Sequence, residues 1–322
     1  MAGQISTKLE VYEGGGALPD SIKGAVLAIG NFDGLHRGHR VLLDTVVERA
    51  RAGGRKAAVM LFEPHPREYF HPQKPVFRLT TFEQKLALLE SIGIDVVIQL
   101  PFDARLAEMP AETFVVDVLL GELAVSHIVV GYDFFFGKGR GGSPALLESI
   151  AKSRGVGVTV VEPVAEGGEV FSSSAVRGKI AEGDVKGAAE DLGYFWRISG
   201  TVVGGAKRGT GLGFPTANLA LPRGCALAHG IYAVHVHLAG QRFEGAAYLG
   251  TRPTFDNGLP VLEVFLFDFS GDIYGRAIEV AFVEHIRPVR AFPDGDSLKV
   301  QIAADCAKAR QILAAVGKGP LR

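Results

Sequence analysis

The feature that most constrains this chain is the turn Gly30-Asn31-Phe32-Asp33-Gly34-Leu35-His36-Arg37-Gly38-His39. The apolar run at 25–29 has the composition of a buried strand, and Val41, Leu42, Val46, Val47 and Ala50 recur after the turn at helical spacing. A strand running straight into a helix belongs to a parallel sheet, and such sheets present their ligands at that junction. His36 and His39 are three apart, so at a helix start both rings leave one face. Gly34 and Gly38 keep side chains away, which lets backbone approach a bound group closely. The helix N-terminus adds unpaired N–H groups and the positive end of its dipole. Two imidazoles in that place suit a phosphate, to which both can donate as charge builds in a transition state. Alone, the turn also fits a glycine-rich connection whose histidines are merely hydrogen-bonded.

From residue 25 to about 161 the same alternation continues. Strands are expected at 56–62, 95–100, 127–131 and 157–161. Helices are expected at 80–91, from Pro110 through Leu119, and from Ser143-Pro144 through Ile150. Thr80 and Glu83 have the spacing of a capping box. Alternation of this kind means a parallel sheet covered on both faces.

The 322 residues suffice for two domains. A net charge of −1 argues against nucleic acid as a partner, because that footprint needs a basic face. Cys225 and Cys306, the only cysteines, lack metal-ligand spacing and point to no disulfide framework. Residues 1–12 hold no signal-peptide core, and no run nears the roughly 18 apolar residues of a membrane span. The expected setting is therefore the cytoplasm, without a membrane partner.

Three further turns in this half carry unusual residues. Phe62-Glu63-Pro64-His65-Pro66 follows a strand and is stiffened by two prolines. It fits a rigid connection or part of a site. The stretch from Gly131 to Gly142 holds Asp133, three adjacent phenylalanines (Phe134, Phe135, Phe136), Lys138 and Arg140. Aromatics at a strand's carboxyl end between glycines and cations suit a flat ligand bearing phosphate, although such runs are also core. Ser172-Ser173-Ser174-Ala175-Val176-Arg177 opens a short helix through 181. Its hydroxyls serve either as ordinary caps or, with Arg177, as a second grip on phosphates.

After a helix at 184–192 the periodicity changes. Apolar residues alternate at 231–238, 245–249, 261–267 and 277–283, between Gly and Pro turns, as in an antiparallel barrel or sandwich. A helix at 297–315 closes the chain. The boundary is placed near 190, which gives domains at 1–190 and 191–322. The second half has its own glycine turn, Gly209-Thr210-Gly211-Leu212-Gly213-Phe214-Pro215-Thr216-Ala217-Asn218. Glycine backbone can wrap phosphate, and Thr216 and Asn218 offer hard oxygens suited to Mg²⁺ bridging a nucleotide's phosphates. An ordinary β-turn fits the same residues. Glu263 lies inside an apolar strand, where alternation alone places it on the polar face.

Together these motifs resemble the bacterial bifunctional riboflavin kinase/FAD synthetases, in order and over nearly the whole chain. Residues 30–39 match the signature GNFDGxHxGH, 62–66 resemble F-x-P-H-P, 131–137 resemble G-x-D-F-x-F-G, and 172–177 resemble S-S-T-x-I-R. Residues 212–218 match LGFPTAN, and 250–255 match G-x-R-P-T-F. The resemblance implies an α/β fold: an N-terminal Rossmann-like nucleotidyltransferase parallel sheet, then a C-terminal antiparallel Greek-key β-barrel with a terminal helix. It implies that the barrel phosphorylates riboflavin to FMN, with Glu263 as the base and Thr216 and Asn218 holding Mg²⁺-ATP, aided by Gly209, Gly211, Gly213 and Pro215. It implies that the sheet joins FMN to AMP from ATP. There His36 and His39 would stabilise charge, and Gly30, Asn31, Phe32, Asp33, Gly34, Ser172, Ser173, Ser174 and Arg177 would hold the nucleotide. Phe62, Pro64, Asp133 and Phe135 would meet the flavin.

The chain departs from the family pattern at Ser174, where Thr is usual, and at Ala175, where Arg is commoner. Thr210, Tyr248 and Phe265 replace the frequent Arg, Asn and His of the kinase pocket. Competing readings are a nucleotidyltransferase for another phosphorylated acceptor, a flavin-binding protein without catalysis, and a tRNA-charging enzyme. Against the last, this chain shows no lysine-serine-lysine signature, and its balanced charge disfavours tRNA.

Overall fold

A computed structural model describes residues 9–14, 19–204, 216–251 and 260–316. The chain divides into two compact units: Met1–Val76 with Thr80–Phe171, and Phe77–Leu79 with Ser172–Arg322. This division by packing falls at a different place from the boundary near 190 expected from the change in periodicity.

The first unit is a six-stranded sheet in the order β1-β4-β3-β2-β5-β6, parallel throughout. Its strands are β1 Glu10–Glu13, β2 Val26–Ile29, β3 Ala57–Glu63, β4 Val96–Pro101, β5 His127–Gly131 and β6 Gly157–Val161. All of β2 is buried. Its side chains alternate between two cores, Leu27 and Ile29 in one, Val26 and Ala28 in the other. Val26, Leu27 and Ile29 each contribute about 1.5–3 kcal/mol by leaving water. The helices of this unit are α1 Arg37–Ala52, α2 Pro66–Phe70, α3 Phe82–Ile92, α4 Ala104–Ala107, α5 Ala111–Thr113 and α6 Pro144–Ser153. Leu42, Leu43, Val46 and Ala50 of α1 and Leu89 of α3 cover one face. Phe114, Val115, Val118 and Leu119 cover the other with Leu147 of α6. Strand order reverses direction between β2 and β5, so the carboxyl end of β2 is the topological switch point.

The helix expected from Pro110 is present with Pro110 at its N-cap; it is α over Ala111–Thr113 and π over Phe114–Glu122. The capping box of α3 is Thr81 with Gln84, one residue later than Thr80 with Glu83, because Thr80 is engaged elsewhere. The edge strand β1, and a hairpin of β7 Ala165–Glu166 with β8 Glu169–Val170, went unpredicted.

The second unit begins with α7 Ser173–Glu182 and α8 Val185–Leu192. Six antiparallel strands follow: β9 Arg197–Thr201, β10 Ala217–Leu219, β11 Gly230–Leu238, β12 Gln241–Thr251, β13 Pro260–Leu266 and β14 Ala277–Pro288. Their order is β10-β13-β12-β11-β14-β9. The meander β11-β12-β13 with β10 returned beside β13 is a Greek key. A lone bridge, Val203 to Asn218, brings the two edges together into a nearly closed barrel. Tyr232, Val234, Val236 and Leu238 of β11 point inside, with Trp196 stacked on Phe282 at 5.2 Å. Ala233 points outward, where Ala309, Ile312 and Leu313 of the terminal helix α9, Gly295–Val316, cover it.

Candidate active sites

The turn after β2 is held by contacts rather than by easy backbone. Phe32, Gly34 and Leu35 take positive φ of 46°, 79° and 37°. Thr80 fastens it: its N–H and its hydroxyl each donate to the Asp33 carboxylate at 3.2 Å, while its hydroxyl oxygen accepts from the Gly34 N–H at 3.3 Å. Asp33 is buried, so this carboxylate braces the turn. Lys85 of α3 donates to the Asn31 carbonyl at 2.6 Å. Gly30 is needed for close packing, since a Cβ there would lie 3.1 Å from the Phe32 ring.

His36 is buried and caps α1, its Nδ1 accepting from the His39 N–H at 3.3 Å. With Nδ1 a hydrogen-bond acceptor, the neutral ring carries its proton on Nε2. The His39 ring stacks on His36 with centroids 3.7 Å apart, and the edge of Phe32 meets it at 5.2 Å. Burial first, then His36 and Lys85, push the His39 pKa well below its ordinary value. Its Nδ1 is buried without a hydrogen-bond partner. The result is a neutral His39 ring stacked on His36 at the start of a helix of 16 residues. Arg37, between them, is turned to Glu166 and lies 4.7 Å over the Phe171 ring.

The strand ends beside this turn carry aromatics. Phe62, at the end of β3, meets Phe102 edge-on at 6.1 Å, and Phe102 meets Tyr69 and Phe70 at 5.3 and 5.7 Å. Pro64 follows a cis peptide bond. Beyond β5 the three phenylalanines separate: Phe136 is core, Phe134 stacks on it at 5.1 Å, and Phe135 is exposed beneath the Arg140 guanidinium. Asp133 is exposed. The sequence reading missed Thr80, Lys85, Phe102 and Tyr69. Only the capping hydroxyl of Thr80 drew notice there, and that for the wrong partner.

The Ser172–Arg177 turn lies in the second unit. Ser172 caps α7 by accepting from the Ala175 N–H at 3.1 Å, as an ordinary capping serine does. Ser173 and Ser174 form the first turn of that helix, and Arg177 donates through Nε to the Phe77 carbonyl at 2.6 Å.

In the barrel, Asn218 on β10 and Tyr248 on β12 both stand opposite Glu263 on β13. Directly opposed residues share a face. The Thr216 hydroxyl donates to Glu263 Oε2 at 3.4 Å, and Asn218 is buried beside it. Leu262, Val264 and Leu266 fill the interior, so Glu263 lies on the other face of its strand. A hydroxyl, an amide and a carboxylate thus converge in one place. Among the described residues no group of three His, Cys, Asp or Glu could hold a metal. The hard oxygens of this trio nonetheless fit Mg²⁺ arriving on a nucleotide, since Mg²⁺ takes few protein ligands and completes its shell with phosphates and water. Gly209, Gly211, Gly213 and Pro215 lie outside the described residues, as does Thr210.

Comparison with known proteins places this chain among relatives over most of its length. A family model described as FAD synthetase matches residues 18–175, and one described as riboflavin kinase matches 192–313. The bifunctional riboflavin kinase/FMN adenylyltransferase of Escherichia coli K12 is 42% identical over 90% of this chain and 93% of its own. That of Bacillus subtilis is 35% identical over 87% and 90%. The chain belongs to the bifunctional riboflavin kinase/FMN adenylyltransferase family. The crystal structure of a macrolide-efflux protein from Streptococcus pneumoniae shares the fold, with a TM-score of 0.81 at 30% identity over 89% of this chain and 94% of that one. Among the described residues no helix is long and apolar enough to cross a membrane.

Two departures from the family pattern have structural partners. Tyr248 donates to the Thr251 carbonyl at 3.5 Å and fills the space above Gly250, where a Cβ would strike its ring. Phe265 packs against Phe267, 5.7 Å away, beneath α9.

Proposed function

We propose that this chain makes FAD from riboflavin in two ATP-dependent steps, each in its own module. Residues 191–322 form the riboflavin kinase and residues 1–190 the FMN adenylyltransferase. The observation that carries the reading is the Thr216–Asn218–Glu263 cluster on a Greek-key barrel, in a chain whose other unit sets a stacked histidine pair at its switch point.

In the kinase, Glu263 takes the proton of the ribityl hydroxyl as that oxygen attacks the γ-phosphorus of ATP; ADP leaves and FMN forms. Thr216 and Asn218 hold Mg²⁺ carried by ATP. When bound, that ion neutralises charge on the phosphates. The barrel's other strands fix the geometry, since Asn218 and Glu263 sit opposite each other on paired strands rather than on loops.

In the adenylyltransferase, an FMN phosphate oxygen attacks the α-phosphorus of ATP. The bond to the β-phosphate breaks and pyrophosphate departs. The attacking phosphate is already anionic near neutral pH, so no strong base is required. His36 donates through Nε2–H to the phosphoryl oxygens, and His39 serves the same charge from the stacked position. Gly30, Asn31, Phe32 and Gly34 shape the turn, and Asp33 keeps it rigid. Through the family motif we assign Ser172, Ser173, Ser174 and Arg177 to the ATP phosphates. Phe62, Pro64, Asp133 and Phe135 receive FMN, beside the aromatic cluster of Phe102, Tyr69 and Phe70. A cytoplasmic setting suits Cys225 and Cys306, both free thiols.

The test is incubation of the purified chain with riboflavin and Mg²⁺-ATP, resolving riboflavin, FMN and FAD over time. FMN should rise and fall ahead of FAD. A chain that never consumes riboflavin would refute the kinase assignment, and one that stops at FMN would refute the adenylyltransferase.

A further inference from the structure

Lys85, a residue of no recognised motif, reaches the histidine turn. It stands half-buried on α3, and its ammonium donates to the Asn31 carbonyl at 2.6 Å. Phe32 and Leu35, just after Asn31, hold positive φ, a conformation that persists in such residues only where surrounding contacts over-determine it. Thr80 grips the middle of the turn, at Asp33 and Gly34, and Lys85 grips its start. Both anchors come from one neighbouring segment, 80–85, that leads into and forms the first turn of α3.

Among the described residues, two titratable groups act on the charge of the His39 ring. His36 stacks on it from the same turn, and Lys85 faces it from α3. Asp33 is engaged by Thr80, and Arg37 is turned to Glu166. We infer that Lys85 is a positioning residue for adenylyl transfer: its ammonium fixes the Asn31 carbonyl, and with it the histidine turn, and sets a permanent positive charge beside the pair that meets the ATP phosphates. This inference rests on the adenylyltransferase reading given above.

The charge has two consequences of one sign. A fixed cation disfavours a second cation nearby, so it helps keep the His39 imidazole neutral. The same cation favours the incoming triphosphate at a helix N-terminus that already attracts anions. An arginine would preserve both effects, a glutamine only the hydrogen bond, and a methionine neither.

The experiment compares Lys85→Arg, Lys85→Gln and Lys85→Met in the full chain. FAD formation is measured with FMN supplied, separating kcat from the KM for ATP, and the histidine ring protons are titrated by NMR. Lys85→Arg should keep kcat/KM for ATP within about threefold of the parent, Lys85→Gln should lose about tenfold, and Lys85→Met about a hundredfold. The titration midpoint of His39 should move up in the Gln and Met variants and stay in place in Arg. Equal losses in all three with an unmoved histidine titration would overturn the inference, leaving Lys85 a mere packing residue. So would a Lys85→Met enzyme within twofold of the parent. If Lys85→Met does not fold, the contrast between Arg and Gln decides alone. A parent chain that makes no FAD would instead refute the adenylyltransferase reading, whatever the variants do.

Discussion

At the scale of single residues, the histidine pair works because a backbone N–H fixes one ring. His36 Nδ1 accepts from His39, which leaves Nε2–H as the donor. Gly38 makes room for that ring, since a Cβ at this position would lie 3.1 Å from His36 Nδ1 and 3.4 Å from the Phe171 carbonyl. Gly38→Ala is therefore a diagnostic change. Alanine in a helix is favoured over glycine by about 1 kcal/mol, so stability should hold or rise. FAD formation should nonetheless fall about tenfold through displacement of the imidazole, and calorimetry beside a rate assay checks both. His36→Ala with His39→Ala should abolish FAD formation while FMN formation continues at the parent rate. Glu263→Gln should do the reverse, lowering FMN formation by about two orders of magnitude or more while FAD still forms from supplied FMN. Product chromatography reads both, and an undiminished kinase in Glu263→Gln would remove Glu263 from the chemistry.

At the scale of elements, what was legible in the sequence was what local pattern encodes. The strand–helix alternation of the first half, the helical stripe of α1 and the period-two runs of β11 and β14 each follow from residues within one element. Elements held by distant partners were not legible. β1 has only Val11 and Tyr12 to mark it, and its register with Val96–Gln99 of β4 comes from a strand some eighty residues away in sequence. The start of α3 slipped by one residue for the same reason: the Thr80 hydroxyl that fits a cap is claimed by Asp33. The motif residues of both candidate sites were readable as such from the sequence, because a motif is carried by residue type and spacing. Lys85 and Phe102 were not, because only the folded sheet brings them to the strand ends. The cap assignment is itself testable. Thr81→Ala should cost about 1 kcal/mol, the ordinary value of a lost cap. Thr80→Val should cost about 2–3 kcal/mol, since it strips two buried hydrogen bonds, one to the Asp33 carboxylate and one from the Gly34 N–H. Urea unfolding of the two variants checks the order. Equal costs would return the cap to Thr80.

At the scale of the whole molecule, the two units carry separate chemistries and separate sources of stability, and the barrel has an acid-sensitive point of its own. His235 is buried on β11, on the outward face that also carries Ala233, and neither ring nitrogen has a hydrogen-bond partner. Its ring lies 6.0 Å from Phe195; Glu244 and Ala281 stand opposite it on the neighbouring strands. Burial first, then Arg242 and His237, lower its pKa to about 4. An unfolded histidine titrates near 6.5, so between those values the unfolded chain holds a proton that the folded chain refuses. Stability from this residue is full above about pH 6.5 and is lost as pH falls toward 4, by about 3 kcal/mol over the window. Replacing the ring by one that cannot titrate removes the loss, and a phenyl leaves no orphaned nitrogen in that apolar setting. His235→Phe should therefore match or exceed the parent at pH 7.5, and its advantage in melting temperature should widen steadily as pH is lowered to 4.5. Parallel melting curves for parent and variant across that range would show instead that His235 takes up its proton in the folded barrel at an ordinary pH.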